Sequence, residues 1–66
     1  MTKCNHNPMF NVQSLAICLN KVGVKNEIVE GAILVDTEAL AAVKKYEMPH
    51  LLFMNYDWIM RCAREG

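Results

Sequence analysis

The chain has 66 residues, seven basic and seven acidic side chains, a formal net charge of zero and a hydrophobic fraction of 53%. A chain this short forms one domain that hides only about 60% of its unfolded surface. Its apolar share, above the ~45–50% of average globular proteins, excludes a disordered tail and leaves apolar surface for a partner or a second copy.

Zero net charge supplies no whole-molecule field for tight, salt-driven binding to nucleic acid, although a local basic patch is compatible with it. No apolar run approaches the ~18 residues of a membrane span, and Met1-Thr2-Lys3-Cys4-Asn5-His6 lacks the apolar core of a signal peptide. An intracellular protein, in cytoplasm or in nucleus or nucleoid, is expected. Cys4, Cys18 and Cys62 form no C-x-x-C pair. Reduced thiols are therefore expected, with Cys18 and Cys62 acting as small hydrophobes on apolar helix faces.

Thr2 to Asn5 reads as a short first strand of poor propensity, followed by loop chemistry at Asn5-His6-Asn7-Pro8. A helix starts at Asn11 as N-cap, or a turn earlier with Asn7 as cap and Pro8 as first helical residue. Val12, Leu15, Ala16, Leu19 and Val22 fall on one stripe with Cys18 at its edge, and Gly23 stops the helix. Ile17, Met9 and Phe10 lie off the stripe, either beneath loops or in an association surface.

Val24 to Val29 reads as a short, partly exposed strand, and Glu30-Gly31 as a turn. Ala32-Ile33-Leu34-Val35 is a continuous apolar run, read as a central strand covered on both sides, with Leu34 in the core. Asp36 or Thr37 caps the next helix, in which Leu40, Ala41 and Val43 face inward and Lys44-Lys45 occupy the last turn. Pro49 opens the apolar run Leu51-Leu52-Phe53-Met54, read as a second buried strand. Asn55 and Asp57 then start a closing helix carrying Trp58, Ile59 and Cys62, with Gly66 at its end. Trp58, the only tryptophan, is expected as the largest buried side chain.

The alternation of strands and helices predicts an α/β fold: a small, mostly parallel four-stranded sheet with three helices on its two faces. The closing segment Asn55-Tyr56-Asp57-Trp58-Ile59-Met60-Arg61-Cys62 resembles the end of a BRCT domain, where a polar turn after an apolar strand leads to Trp, an aliphatic residue, two variable residues and Cys. Leu19-Asn20-Lys21-Val22-Gly23-Val24-Lys25 is similar to that family's first helix end, with Val24 in place of a second glycine. Ile33-Leu34-Val35-Asp36 is similar to its central strand. Ala42 to Pro49 is similar to its second helix and the following strand start, with Glu47 in place of a glycine.

This resemblance implies a BRCT-like, non-catalytic interaction module over residues 1–66, working in DNA repair or replication and engaging proteins, phosphopeptides or DNA ends. Phosphate-binding members use a Ser or Thr followed by Gly at the first strand's end and a Lys early in the second helix. Cys4-Asn5 and Ala39 or a close neighbour stand at those places, so the pocket is expected to be lost or rebuilt. Lys3, Asn5, His6 and Lys44 remain as candidate phosphate or DNA contacts near the edge where the first strand ends and the second helix begins. As plain solvated polar residues they need no such role. Met9, Phe10, Ile17, Met60, Arg61 and Arg64 are the candidate contacts for a protein partner or a homodimer.

Two alternatives stand beside this. Ala39 to Asn55 is similar to the thioredoxin-fold segment in which a helix leads to a cis-proline and an apolar strand, which makes Cys4 a redox thiol activated by a helix N-terminus. A small free-standing inhibitor or adaptor on the same scaffold is the other. Cys4, His6, His50 and Cys62 offer zinc-type atoms without a usual ligand spacing. No Ser-His-Asp set and no glycine-rich phosphate loop is present. No enzyme activity, cofactor or metal is expected.

Overall fold

The computed structural model describes residues 1–5 and 11–65. In chain order it contains β1 (Thr2–Cys4), α1 (Val12–Lys21), β2 (Asn26–Val29), β3 (Ala32–Val35), α2 (Thr37–Ala42), a 3-10 turn (Lys45–Glu47) and α3 (His50–Glu65).

α1 begins and ends where local chemistry dictates. Asn11 is extended and its side-chain oxygen accepts from the Gln13 and Ser14 amides at 2.7 and 3.4 Å, satisfying donors that the first turn leaves orphaned. The alternative cap at Asn7 lies outside the described residues. At the other end the Gly23 amide donates to Asn20 and the Val24 amide to Leu19, with Gly23 at φ 77°. These two bonds form a Schellman motif, and buried Val24 and Leu19 supply the apolar contact that accompanies it.

β2 and β3 form a hairpin. Val29 pairs with Ala32, so the loop is the two residues Glu30 and Gly31, both at positive φ (51° and 82°). A loop of two residues can join only antiparallel strands. β1 pairs antiparallel with the other side of β3, in the order β1-β3-β2. Among the described residues the sheet therefore has three strands, all antiparallel neighbours. The expected four-stranded, mostly parallel sheet is not the one formed.

The missing fourth strand is Leu51-Leu52-Phe53-Met54, which forms the first turns of α3. Pro49 precedes the helix, and its carbonyl accepts from the Phe53 amide at 2.9 Å. Leucine and methionine favour helix, and the run contains no β-branched residue to resist it. Asn55, expected as a helix start, lies within α3 and donates its side-chain amide to the Leu51 carbonyl at 2.8 Å. The Met48–Pro49 bond is trans. Gly66, expected to close the helix, is outside the described residues.

Cross-strand neighbours share a face, and this sorts the sheet into two sides. Cys4, Ile33 and Val35 point toward the helices and join one core with Leu15, Leu19, Leu40, Leu52 and Ile59. Lys3, Leu34 and Glu27 are aligned across the three strands on the opposite side, where Lys3 and Glu27 are exposed and Leu34 is half-buried. On that second side Ala32 is buried but Leu34 is only half-buried, and Leu34 lies outside the main core. The fold is two-layered, with the helices packed on one face of the sheet.

α2 stops at Ala42, one turn earlier than its composition suggests. Val43 and Lys44 are extended, Ala41 is exposed, and Lys44 and Lys45 lie beyond the helix. Asp36 caps it, accepting from the Ala39 amide at 3.1 Å. The 3-10 turn is held to α3 by the Lys45 ammonium, 5.0 Å from the centre of the Tyr56 ring.

Candidate functional site

α3 is sixteen residues long, about 24 Å at 1.5 Å per residue. Leu52 and Ile59 are fully buried, and Tyr56, Trp58, Met60 and Cys62 pack against the core from its flanks. A rotation of 100° per residue places His50, Met54, Asp57, Arg61 and Arg64 on the opposite side, with Phe53 at its margin. All six are exposed, Phe53 by 52% and Met54 by 67%. On α1, Ile17 is 57% exposed and points directly away from Leu15, Ala16 and Leu19. The outer surface of the helical layer thus presents large apolar side chains beside charges of both signs.

Of the residues expected to meet a partner, Ile17, Arg61 and Arg64 are on this outer surface. Met60 is half-buried against the core. Met9 and Phe10 lie outside the described residues. Phe53 and Met54 were missed as surface residues because a doubly buried strand leaves no exposed side. Their signal is the helical phase set by Leu52, Tyr56, Ile59 and Ala63, which turns both away from the core.

The candidate phosphate contacts are not gathered by the fold. Because β1 runs antiparallel to β3, the start of α2 lies by the beginning of β1, where the Thr2 and Thr37 hydroxyls are 3.1 Å apart. Asn5 follows the far end of that strand, and Lys44 lies past the far end of α2. The shared edge of a parallel sheet, on which that grouping depended, is absent. Lys3 projects from the open face beside Leu34, and the Lys44 ammonium sits 5.9 Å from the centre of the Tyr46 ring. His6 lies outside the described residues.

Cys4 and Cys62 meet where β1 crosses α3. The Cys4 thiol is fully buried and donates to the Ile59 carbonyl at 3.9 Å, and Cys62, one helical turn further on, packs against the same core cluster. Burial first, and then the influence of the neighbouring Cys62 thiol, push the Cys4 thiol from the ordinary value of 9.0 up to about 12. Such a thiol is a poor nucleophile, the reverse of one activated by a helix N-terminus. Among the described residues no three His, Cys, Asp or Glu side chains converge as a metal site, and no helix is long and apolar enough to cross a membrane.

Comparison of the chain with protein-family models, with curated proteins and with solved structures gave no match.

Proposed function

We propose that the chain is a non-enzymatic association module that pairs with a second copy of itself through the outer face of α3. The observation that carries this reading is the adjacent pair Phe53 and Met54, 52% and 67% exposed on a helix whose other side is firmly packed. Phenylalanine, methionine and arginine are enriched where proteins meet.

Charge favours a second copy as the occupant. The formal net charge is zero, so copies do not repel at long range. Two α3 helices laid antiparallel about a two-fold axis at Ile59 set Asp57 of each opposite Arg61 of the other, and Met54 opposite the aliphatic stem of Arg64. An isologous contact of this kind satisfies both charges twice. The environment of Cys4 gives no support to the alternative of a redox protein working through that thiol.

Sedimentation equilibrium across a concentration series tests the reading. The wild-type mass is expected to rise toward that of a dimer. Met54→Glu should weaken association at least tenfold while leaving the helical circular dichroism unchanged. A wild-type chain that remains monomeric up to about 1 mM, an association weaker than about 4 kcal/mol, contradicts it. A monomer that gains mass only with a 5′-phosphorylated DNA duplex would likewise contradict it and point to nucleic acid as the partner.

A further inference from the structure

We infer that Cys4 and Cys62 constitute an oxidative modification site, at which a peroxide converts the two thiols into a disulfide tying the first strand to the last helix. The inference does not depend on how the outer face of α3 is used.

Three features of the β1–α3 crossing support it. Cys4 occupies the inward face of β1, paired across the sheet with Ile33, so its side chain must project into the helical layer. There it reaches the Ile59 carbonyl at 3.9 Å. Cys62 is the next residue but two along α3, where helical geometry returns a side chain to the same face, and it packs against the core cluster that contains Cys4. Two cysteines at opposite ends of the chain are thus brought to one place in the core.

The two thiols differ in access. Cys4 is 0% exposed, whereas Cys62 is half-buried at the margin of the core. Cys62 is therefore the sulfur that meets the oxidant. It attacks one peroxide oxygen, the O–O bond breaks, and its proton leaves with the departing oxygen as water, giving a sulfenic acid. The Cys4 sulfur then attacks the Cys62 sulfur. The S–O bond breaks, and the hydroxide leaves with the Cys4 proton as a second water. Two thiols have lost two electrons and two protons, and one peroxide has become two waters. Resolution is slow at neutral pH, because Cys4 holds its proton tightly, and accelerates as pH rises. The cross-link constrains the unfolded chain, so the oxidised form should melt at higher temperature.

The test is exposure of folded Cys18→Ala protein to excess hydrogen peroxide, followed by denaturation, alkylation and mass mapping. The expected product is a monomer lighter by two hydrogens, with the Cys4 and Cys62 peptides joined, no free thiol, and full recovery of both thiols on reduction. Cys62→Ser in the same background should leave Cys4 alkylatable after the same exposure. Two thiols that remain free, Cys62 stopping at the sulfinic acid, or a Cys62–Cys62 bond between chains would each overturn the inference. Should Cys18→Ala not fold, the wild-type chain cleaved with chymotrypsin after Phe10 separates Cys4 from Cys18 and gives the same reading.

Discussion

The Cys4 thiol on β1 reaches the Ile59 carbonyl on α3 at 3.9 Å, so the first and last elements of the chain meet inside its core. This junction has a pH signature. Cys4 ionises near 12 when folded and near 9.0 when exposed, so between those values the folded chain binds more protons than the unfolded chain. Stability is fully present below pH 9 and falls as pH rises toward 12, by at most about 1.4 kcal/mol per pH unit for one proton. Urea denaturation at a series of pH values should show this slope in the wild type. The Cys4→Ala protein should show a shallower one, and equal slopes in the two would contradict the assignment.

Leu52 and Trp58 should rank in the order of their burial rather than their size. Leu52 is fully buried, and Leu52→Ala should cost roughly 2–5 kcal/mol, enough to unfold most of a domain whose single core supplies only ~3–5 kcal/mol. Trp58 is half-buried against the flank of the core. Trp58→Ala should therefore cost about 1.5–3 kcal/mol, below the ~3–5 kcal/mol of a fully buried tryptophan. Circular dichroism, which needs no tryptophan, reads both. A Trp58→Ala protein less stable than Leu52→Ala would reverse the placement of α3 on the sheet.

Glu30 adopts φ 51° at the first position of the β2–β3 turn, a left-handed conformation that glutamate tolerates poorly. Glu30→Asn should stabilise the chain by roughly 0.5–1 kcal/mol, because asparagine is favoured at this position of a two-residue hairpin loop. A raised urea midpoint with an unchanged denaturant slope is the expected result. A lowered midpoint would mean that the glutamate side chain makes a contact worth more than the strain.

Several elements were legible because their signals are local. Asn11 supplies an oxygen for orphaned amides and Gly23 a backbone able to take positive φ, so α1 has the ends its sequence indicates. Glu30-Gly31 was legible as a turn, and two residues between strands force an antiparallel hairpin; the antiparallel pairing of β1 with β3, which no local signal marks, completes the departure from a parallel sheet. Leu51 to Met54 misled for a different reason. Four consecutive apolar residues have no period of their own, and the period becomes visible only when Leu52 is continued through Tyr56, Ile59 and Ala63. Asn55 looked like a cap because its polar side chain also suits a helix start. Within α3 it instead folds back on the Leu51 carbonyl.

The candidate site was legible to the same extent. Ile17, Arg61 and Arg64 were recognisable as outward residues from helical periodicity, whereas Met60, read as outward on the same helix, packs half-buried against the core. Phe53 and Met54 were hidden by assigning them to a strand. The approach of Cys4 to Ile59 and Cys62 depends on how β1 and α3 cross, and no local pattern encodes that crossing.

The most direct test concerns residues 50–65, because a single helix there removes the fourth strand and turns Phe53 and Met54 outward. Backbone 13Cα and 13C′ secondary chemical shifts of the labelled protein read this segment residue by residue. Uninterrupted helical shifts from Leu51 to Arg64, with Asn55 indistinguishable from its neighbours, are predicted. Extended-type shifts at Leu51 to Met54 with a break at Asn55 would contradict the account and restore a strand before a shorter closing helix.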